Sequence, residues 1–223
     1  MNQSNFTIYL ASRSPRRIEL LKQLGLDCQV LPSDIDESAL FNEHPAAYVQ
    51  RLAQQKAEAC FKTLMQQKLA VLPISEKNLT VFSGHILNSN DLVKPKQLVI
   101  AADTTVAINR EILGKPIDDH DARAMLRLLS GSQHQVHTAV AIGTAEKLEL
   151  MLSTTTVEMM PLSDAQIETY INTGEHQDKA GSYGIQGYAG AWIKCIEGSY
   201  TGVMGLPIYE TALLLRQFGV TTL

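Results

Sequence analysis

The sequence predicts an α/β protein built on a mixed sheet, and two observations carry that prediction. Strand-like runs and helix-periodic segments interleave from Thr7 to Phe218. The run Leu98-Val99-Ile100-Ala101-Ala102 is apolar at every position, as in a strand buried on both faces.

Each element has a local reason. Thr7 to Ala11 reads as a strand. Ser14 is placed to cap a helix, Pro15 suits its first position, and Gly25 suits its end. Leu26 to Leu31 alternates as a second strand. Pro45 opens a helix that runs to about Gln67, with Tyr48, Val49, Leu52 and Ala59 as its apolar side. Leu69 to Lys96 is irregular, with a short strand compatible with Thr80-Val81-Phe82. After the buried run, Val106 to Leu113 reads as a hairpin turning at Asn109-Arg110. Asp121 to Leu129 is a helix closed by Gly131, and Gln135 to Gly143 and Leu148 to Met160 are long strands. Ser163 and Gln166 have capping-box spacing before a helix that ends at Gly174. A glycine-rich stretch, Asp178 to Gly190, precedes a strand at Trp192 to Ile196 and a last helix, Pro207 to Phe218.

Bulk properties narrow the function. The 223 residues fit one large domain or two small lobes, and 45% hydrophobic residues suffice for a core. A net charge of −4 argues against nucleic acid as a partner. Cys28, Cys60 and Cys195 have neither disulfide-framework nor zinc spacing, which fits a reduced, cytoplasmic setting. No secretory pattern and no apolar run long enough to cross a membrane are visible.

The chemistry concentrates in short segments. Ser12-Arg13-Ser14-Pro15-Arg16-Arg17 sits at a strand–helix junction, where free helix N–H groups and arginines suit a phosphate. Asp103 directly follows the buried run, where ligand sites collect at strand carboxyl ends. It reads equally as a base or metal ligand and as a turn aspartate. Asp34, Asp36 and Glu37 form an acidic cluster that could share a divalent ion with phosphate, or simply be solvated. Lys56 and Lys115 are candidate phosphate partners. The loop Gly181 to Gly187 allows close backbone approach, and Gln186 offers a donor and an acceptor to a base edge. His134 and His137 face opposite sides of their strand, which disfavours a metal pair.

These segments, in order, resemble one family. Ala11-Ser12-Arg13-Ser14-Pro15-Arg16-Arg17, Gln55-Lys56-Ala57, Ala102-Asp103-Thr104, Gly114-Lys115-Pro116, Asp178-Lys179-Ala180-Gly181, Gly184-Ile185-Gln186-Gly187 and Gly205-Leu206-Pro207 look like the Maf family of nucleotide pyrophosphatases. The resemblance implies a single domain over residues 1–223. It implies an elongated mixed sheet with flanking helices and two lobes around a cleft, as in inosine triphosphatase. It implies hydrolysis of a nucleoside triphosphate to monophosphate and pyrophosphate by attack at the α-phosphorus. Asp103 would be the proton acceptor, and Glu37 with Asp103 would hold Mg²⁺ or Mn²⁺. Ser12, Arg13, Lys56 and Lys115 would bind phosphates. Arg16, Thr104 and Gln186 match the branch acting on dTTP and UTP. A homodimer is compatible with the pattern. Residues 69–96 exceed the usual family connection and read as an insertion or long loop. The rival readings are a nucleotide-binding regulator of cell division without turnover and, more weakly, a sugar-phosphate or nucleotidyl enzyme.

Overall fold

The computed structural model describes residues 6–71 and 96–222. The chain order is β1 (Phe6–Leu10), α1 (Pro15–Gln23), β2 (Gln29–Val30), α2 (Pro45–Val71), β3 (Lys96–Ile108) and β4 (Glu111–Leu113). It continues with α3 (Asp119–Leu129), β5 (Gln133–Gly143), β6 (Leu148–Met159), α4 (Asp164–Ile171), β7 (Ile193–Glu197), α5 (Tyr200–Met204) and α6 (Ile208–Gln217). One seven-stranded sheet runs in the order β2-β1-β3-β5-β6-β7, with β4 also on β3. The pairs β1–β2 and β1–β3 are parallel and the rest antiparallel, so the sheet is mixed.

The sheet's two faces follow the alternation of β3 and β5. On one face, Leu98, Ile100, Ala102, Val140 and Ile142 join Leu20, Leu21, Leu214 and Leu215 in a first core with α1 and α6. Farther along the same face, Val106, Ile108 and Val136 join Leu126, Leu129, Ile167, Tyr170 and Trp192 in a second core with α3 and α4. On the opposite face, Val99, Ala101, Ala139 and Ala141 pack on Val49, Ala53, Ala57 and Cys60 of α2. Alanines on both sides let α2 approach the sheet closely. Between the first two cores the alternation places Thr104 and Thr138, paired directly across the ladder. The sheet therefore has a polar waist.

Several expectations change. The second strand shrinks to Gln29–Val30. The strand expected to stop at Ala102 runs on through Asp103 to Ile108, because Asp103 to Ala107 keep pairing with β5. Asp103 is thus inside a strand and not at its carboxyl end. The hairpin turn does fall at Asn109-Arg110, both with positive φ (51° and 68°), as a tight primed turn requires. Ser163 and Gln166 do form the capping box. Helix α5 was not expected, and the glycine-rich stretch folds into two short 3₁₀ turns at Ala180–Ser182 and Tyr188–Trp192. The apolar side of α2 includes Ala53, Ala57, Cys60 and Leu64 in place of Ala59. The expected insertion is bounded by α2 and β3, and its residues 72–95, with the strand suggested at Thr80 to Phe82, lie outside the described residues. No described helix is long and apolar enough to cross a membrane.

The second core holds a titratable group. His134 is buried, with Nε2 2.7 Å from the Tyr183 hydroxyl and Nδ1 unpartnered among the described residues. His137, on the other face, meets Thr154 and His44, so the two rings do diverge. Burial pushes His134 from 6.5 down to about 4. Between those values the unfolded chain binds a proton that the folded ring refuses. The stabilisation is complete above pH 6.5 and is lost as pH falls toward 4, by about 3 kcal/mol at most. Urea unfolding should therefore show a clear loss from pH 7 to pH 5, and His134→Gln should reduce that loss. An identical loss in both proteins would contradict the assignment.

Candidate active site

Strand β3 is paired with β5 along one edge from Val99 to Ala107. On its other edge, β1 covers Lys96 to Ile100 and β4 covers Val106 to Ile108. Residues 101–105 lie in the gap between them. A cleft of about 880 Å³ opens there, walled by the Ser12 to Arg17 segment, the Glu37 loop, Lys56, Lys115 and the glycine loop. Asp103 lies in the middle of the gap, just past the carboxyl end of β1. The sequence pattern places it beyond its own strand; the neighbouring strand is the one that ends.

Lys56 organises the acidic side of the cleft. It stands in the buried stripe of α2, 8% exposed, between Ala53 and Ala57. Its Nζ donates to Asp103 Oδ1 at 2.6 Å and lies 2.7 Å from Glu37 Oε1. The Glu37 loop is pinned from α2. The Tyr48 hydroxyl donates to Glu37 O at 2.9 Å, and Arg51 donates to Ser38 O while pairing with both oxygens of Glu43. The two carboxylates are tuned apart. Burial pushes the Asp103 carboxyl up, against the partial opposition of Lys56 and Arg17. Burial would raise Glu37 too, but the hydrogen bond and charge of Lys56, with Lys115 and Arg17 farther off, hold it below its usual value. Of the two carboxylates in this cleft, Asp103 has the greater proton affinity. Asp34 and Asp36 do not join this centre. Asp34 is only 4.0 Å from Arg13 with both side chains exposed, and Asp36 accepts from Ser38 N.

The basic side is built on α1. Pro15 at its first turn carries no N–H, and Ser14 makes no side-chain cap, contrary to expectation. Ser12 Oγ instead accepts from Ser14 N at 3.2 Å and from Arg17 Nη1 at 3.1 Å. With its lone pairs occupied, the Ser12 hydroxyl can only donate to a ligand, which suits a phosphate oxygen. The motif singles out Arg13 and Arg16, yet Arg17 is the best-anchored arginine of the three. It donates from Nε to Gly205 O at 2.7 Å and from Nη2 to Thr104 Oγ1 at 3.4 Å. All three of its contacts are neutral oxygens. Burial lowers its pKa, and the largest opposing influence is the Asp103 charge. A partly buried guanidinium without a bonded anion calls for one from a ligand. The signal in the sequence was its phase: residue 17, and not 13, follows Pro15 onto the helix face toward the waist. Arg13 is largely exposed beside the cleft, and Arg16 lines it. Thr104 faces the cleft, but its hydroxyl is engaged by Arg17 and Thr138.

The far wall is the glycine loop. Gly181 has φ 65°, and a Cβ there would collide with Val106, so only glycine lets this turn close on β3. Its N–H donates to Gly114 O, which ties the loop to the Lys115 turn. The Glu175 carboxylate accepts from Tyr188 N at 3.0 Å and fills the space of any Cβ at Gly187. Gln186 is thereby held, exposed, on the cleft wall. Lys179 is a further cleft cation that sequence reasoning left unassigned. It donates to the Glu175 and Gln177 carbonyls, and burial and the nearby Arg16 charge lower its pKa.

The described residues contain no cluster of three or more metal-ligating side chains. Glu37 and Asp103 still fit a divalent ion, because Mg²⁺ in phosphoryl sites takes one or two carboxylates and completes its shell with phosphate oxygens and water. Both carboxylates already converge on one cation, Lys56. Removing that cation leaves Asp103 buried with its one charged hydrogen-bond partner gone and only the more distant Arg17 charge to oppose burial, at a cost of roughly 3–5 kcal/mol. Lys56→Met should therefore unfold at markedly lower urea, and Asp103→Asn added to it should restore part of the loss. A Lys56→Met protein as stable as the parent would refute this balance.

The family model described as Maf-like protein matches residues 7–218. The dTTP/UTP pyrophosphatase of Chromobacterium violaceum is 48% identical over 219 residues, 98% of this chain and 98% of the relative. That of Methylobacillus flagellatus is 48% identical, covering 96% of this chain and 93% of the relative. That of Nitrosomonas europaea is 44% identical, covering 96% and 95%. The Staphylococcus aureus Ham1 protein aligns with 69% of this chain and 71% of its own at 16% identity, with a TM-score of 0.43, too low to define a shared fold. The match runs from β1 through α6 and takes in every segment that walls the cleft, and the chain belongs to the Maf-like protein family.

Proposed function

We propose that this chain is a nucleoside triphosphate pyrophosphatase that converts dTTP and UTP to their monophosphates and pyrophosphate. The observation that carries the reading is one cleft that holds a buried carboxylate, Asp103, opposite the cations Arg16, Arg17, Lys115 and Lys179. Relatives at 48% identity over nearly the whole chain are dTTP/UTP pyrophosphatases. A regulator without turnover would have no need of a carboxylate with raised proton affinity at the centre of a phosphate cleft.

The triphosphate lies against the α1 opening, where Arg17, Arg16 and the Ser12 hydroxyl bind its oxygens. Asp103 takes the proton of a water whose oxygen attacks the α-phosphorus. The bond from that phosphorus to the bridging oxygen breaks, and pyrophosphate leaves with the electron pair. Lys56 keeps Asp103 oriented and stabilises charge nearby. Lys115 and Lys179 offset the negative charge that gathers on the leaving group. Glu37 and Asp103 would hold a Mg²⁺ or Mn²⁺ ion, which would supply further charge neutralisation to the phosphates. Gln186, on the glycine loop, faces the base with one donor group and one acceptor.

Two measurements test this. Asp103→Asn keeps shape but accepts no proton, so initial rates on dTTP and UTP should fall about 100-fold or more, with circular dichroism unchanged. Near-parental rates would remove Asp103 from the mechanism. Activity should also vanish in excess chelator and return with Mg²⁺ or Mn²⁺. Full activity in verified metal-free protein would sink the roles given to Glu37 and Asp103 as ligands.

A further inference from the structure

The threonine pair at the waist has a proton direction that can be worked out. Thr138 is fully buried and lies directly across the ladder from Thr104. Its Oγ1 is 2.7 Å from Gly202 O and 3.0 Å from Thr104 Oγ1. The Thr138 hydroxyl is the donor in both contacts, its single proton shared between the Gly202 carbonyl and the Thr104 oxygen. One Thr104 lone pair is thereby occupied, and the other receives Arg17 Nη2. Thr104 accepts from Arg17 on one side and from Thr138 on the other, and Thr138 ties it to the Gly202 carbonyl. On its other side, Arg17 Nε donates to Gly205 O. Both routes end at α5, on Gly202 within it and on Gly205 at its C-cap.

We propose that Thr138 is a positioning residue for Arg17. It touches no substrate. By donating to one Thr104 lone pair it fixes the Thr104 hydroxyl with the other lone pair toward the guanidinium. Without it, the Thr104 proton is free to point at Arg17, where a hydrogen facing a cation is repulsive. The guanidinium would then lose one of its neutral anchors and sample orientations unfit for a phosphate. The role rests on the reading that Arg17 holds the triphosphate, and it acts on the phosphate side, not on base choice.

The test is a double-mutant cycle of Thr138→Val and Arg17→Lys, read as kcat/KM for dTTP and UTP. Thr138→Val should lower both about tenfold, chiefly through KM and by the same factor. Thr138→Ser, which keeps the hydroxyl, should stay within about twofold of the parent. In the Arg17→Lys background, adding Thr138→Val should cost less than about twofold, because the group it positions is gone. A full tenfold loss in that background, parental kinetics for Thr138→Val, or a changed dTTP:UTP ratio would each overturn the proposal. If the valine variant does not fold, Thr138→Ala carries the same comparison. Repeating the cycle on the affinity for inorganic pyrophosphate, by calorimetry, removes the need for turnover. Coupling in that binding cycle without hydrolysis of either nucleotide would overturn the pyrophosphatase reading and sustain the positioning role. Hydrolysis without coupling would do the reverse.

Discussion

The Lys56 ammonium, set between Asp103 and Glu37, is the contact on which the rest of the site depends. A carboxylate in the middle of a buried strand is untenable alone. It survives here because α2 packs on alanines of β3 and β5 closely enough to deliver a cation to 2.6 Å. The same cation draws in Glu37, whose loop is tied back to α2 by Tyr48 and Arg51. One helix therefore positions both carboxylates and the ammonium between them. The cost of burying the Asp103 charge is offset chiefly by the Lys56 charge. Burial leaves Asp103 with raised proton affinity, while Glu37, nearer to solvent, stays ionised. Burial prevails at Asp103, whereas the Lys56, Lys115 and Arg17 charges prevail at Glu37.

The cleft exists because the sheet is incomplete. Strand β3 is long, but β1 and β4 cover only its two ends on one edge. The two cores above that face are separated at the same level by the Thr104–Thr138 pair. Backbone that would be satisfied by a neighbouring strand is instead open to a ligand. Arg17 crosses this waist from α1 to Thr104 and Gly205, so one guanidinium links the first core's helix to the middle of the sheet and to α5. Cations from four separate segments then face one anion-sized space, and none of the three Arg17 contacts neutralises its charge.

Much of this could be read in the sequence. The alternation of elements, the Asn109-Arg110 turn and the capping box at Ser163 are local features, set by residues near one another, and they appear where expected. Asp103 was found for an incomplete reason. The polar run Asp103-Thr104-Thr105 looked like the end of a strand, yet threonine pairs well in a ladder and β5 carries β3 onward. Arg17 was missed because three arginines in five residues look alike until helix phase and a partner 188 positions away, Gly205, select one. Lys56 carried a stronger signal than was used: it is a charge inside the apolar stripe Val49, Leu52, Ala53, Ala57 and Cys60, a place where an unpaired lysine is not tolerated. Thr138 gave no local signal, since a threonine in a strand is ordinary and only its long-range partners give it a role.

The central claim is that Asp103 directs water to the α-phosphorus of a triphosphate held by Arg17 and its neighbours. Turnover of dTTP in ¹⁸O-labelled water, with the products analysed by mass spectrometry, tests it most directly. The account predicts one labelled oxygen in the nucleoside monophosphate and none in pyrophosphate. Label in pyrophosphate, or release of labelled orthophosphate, would place the attack at another phosphorus and contradict the arrangement of the site described above.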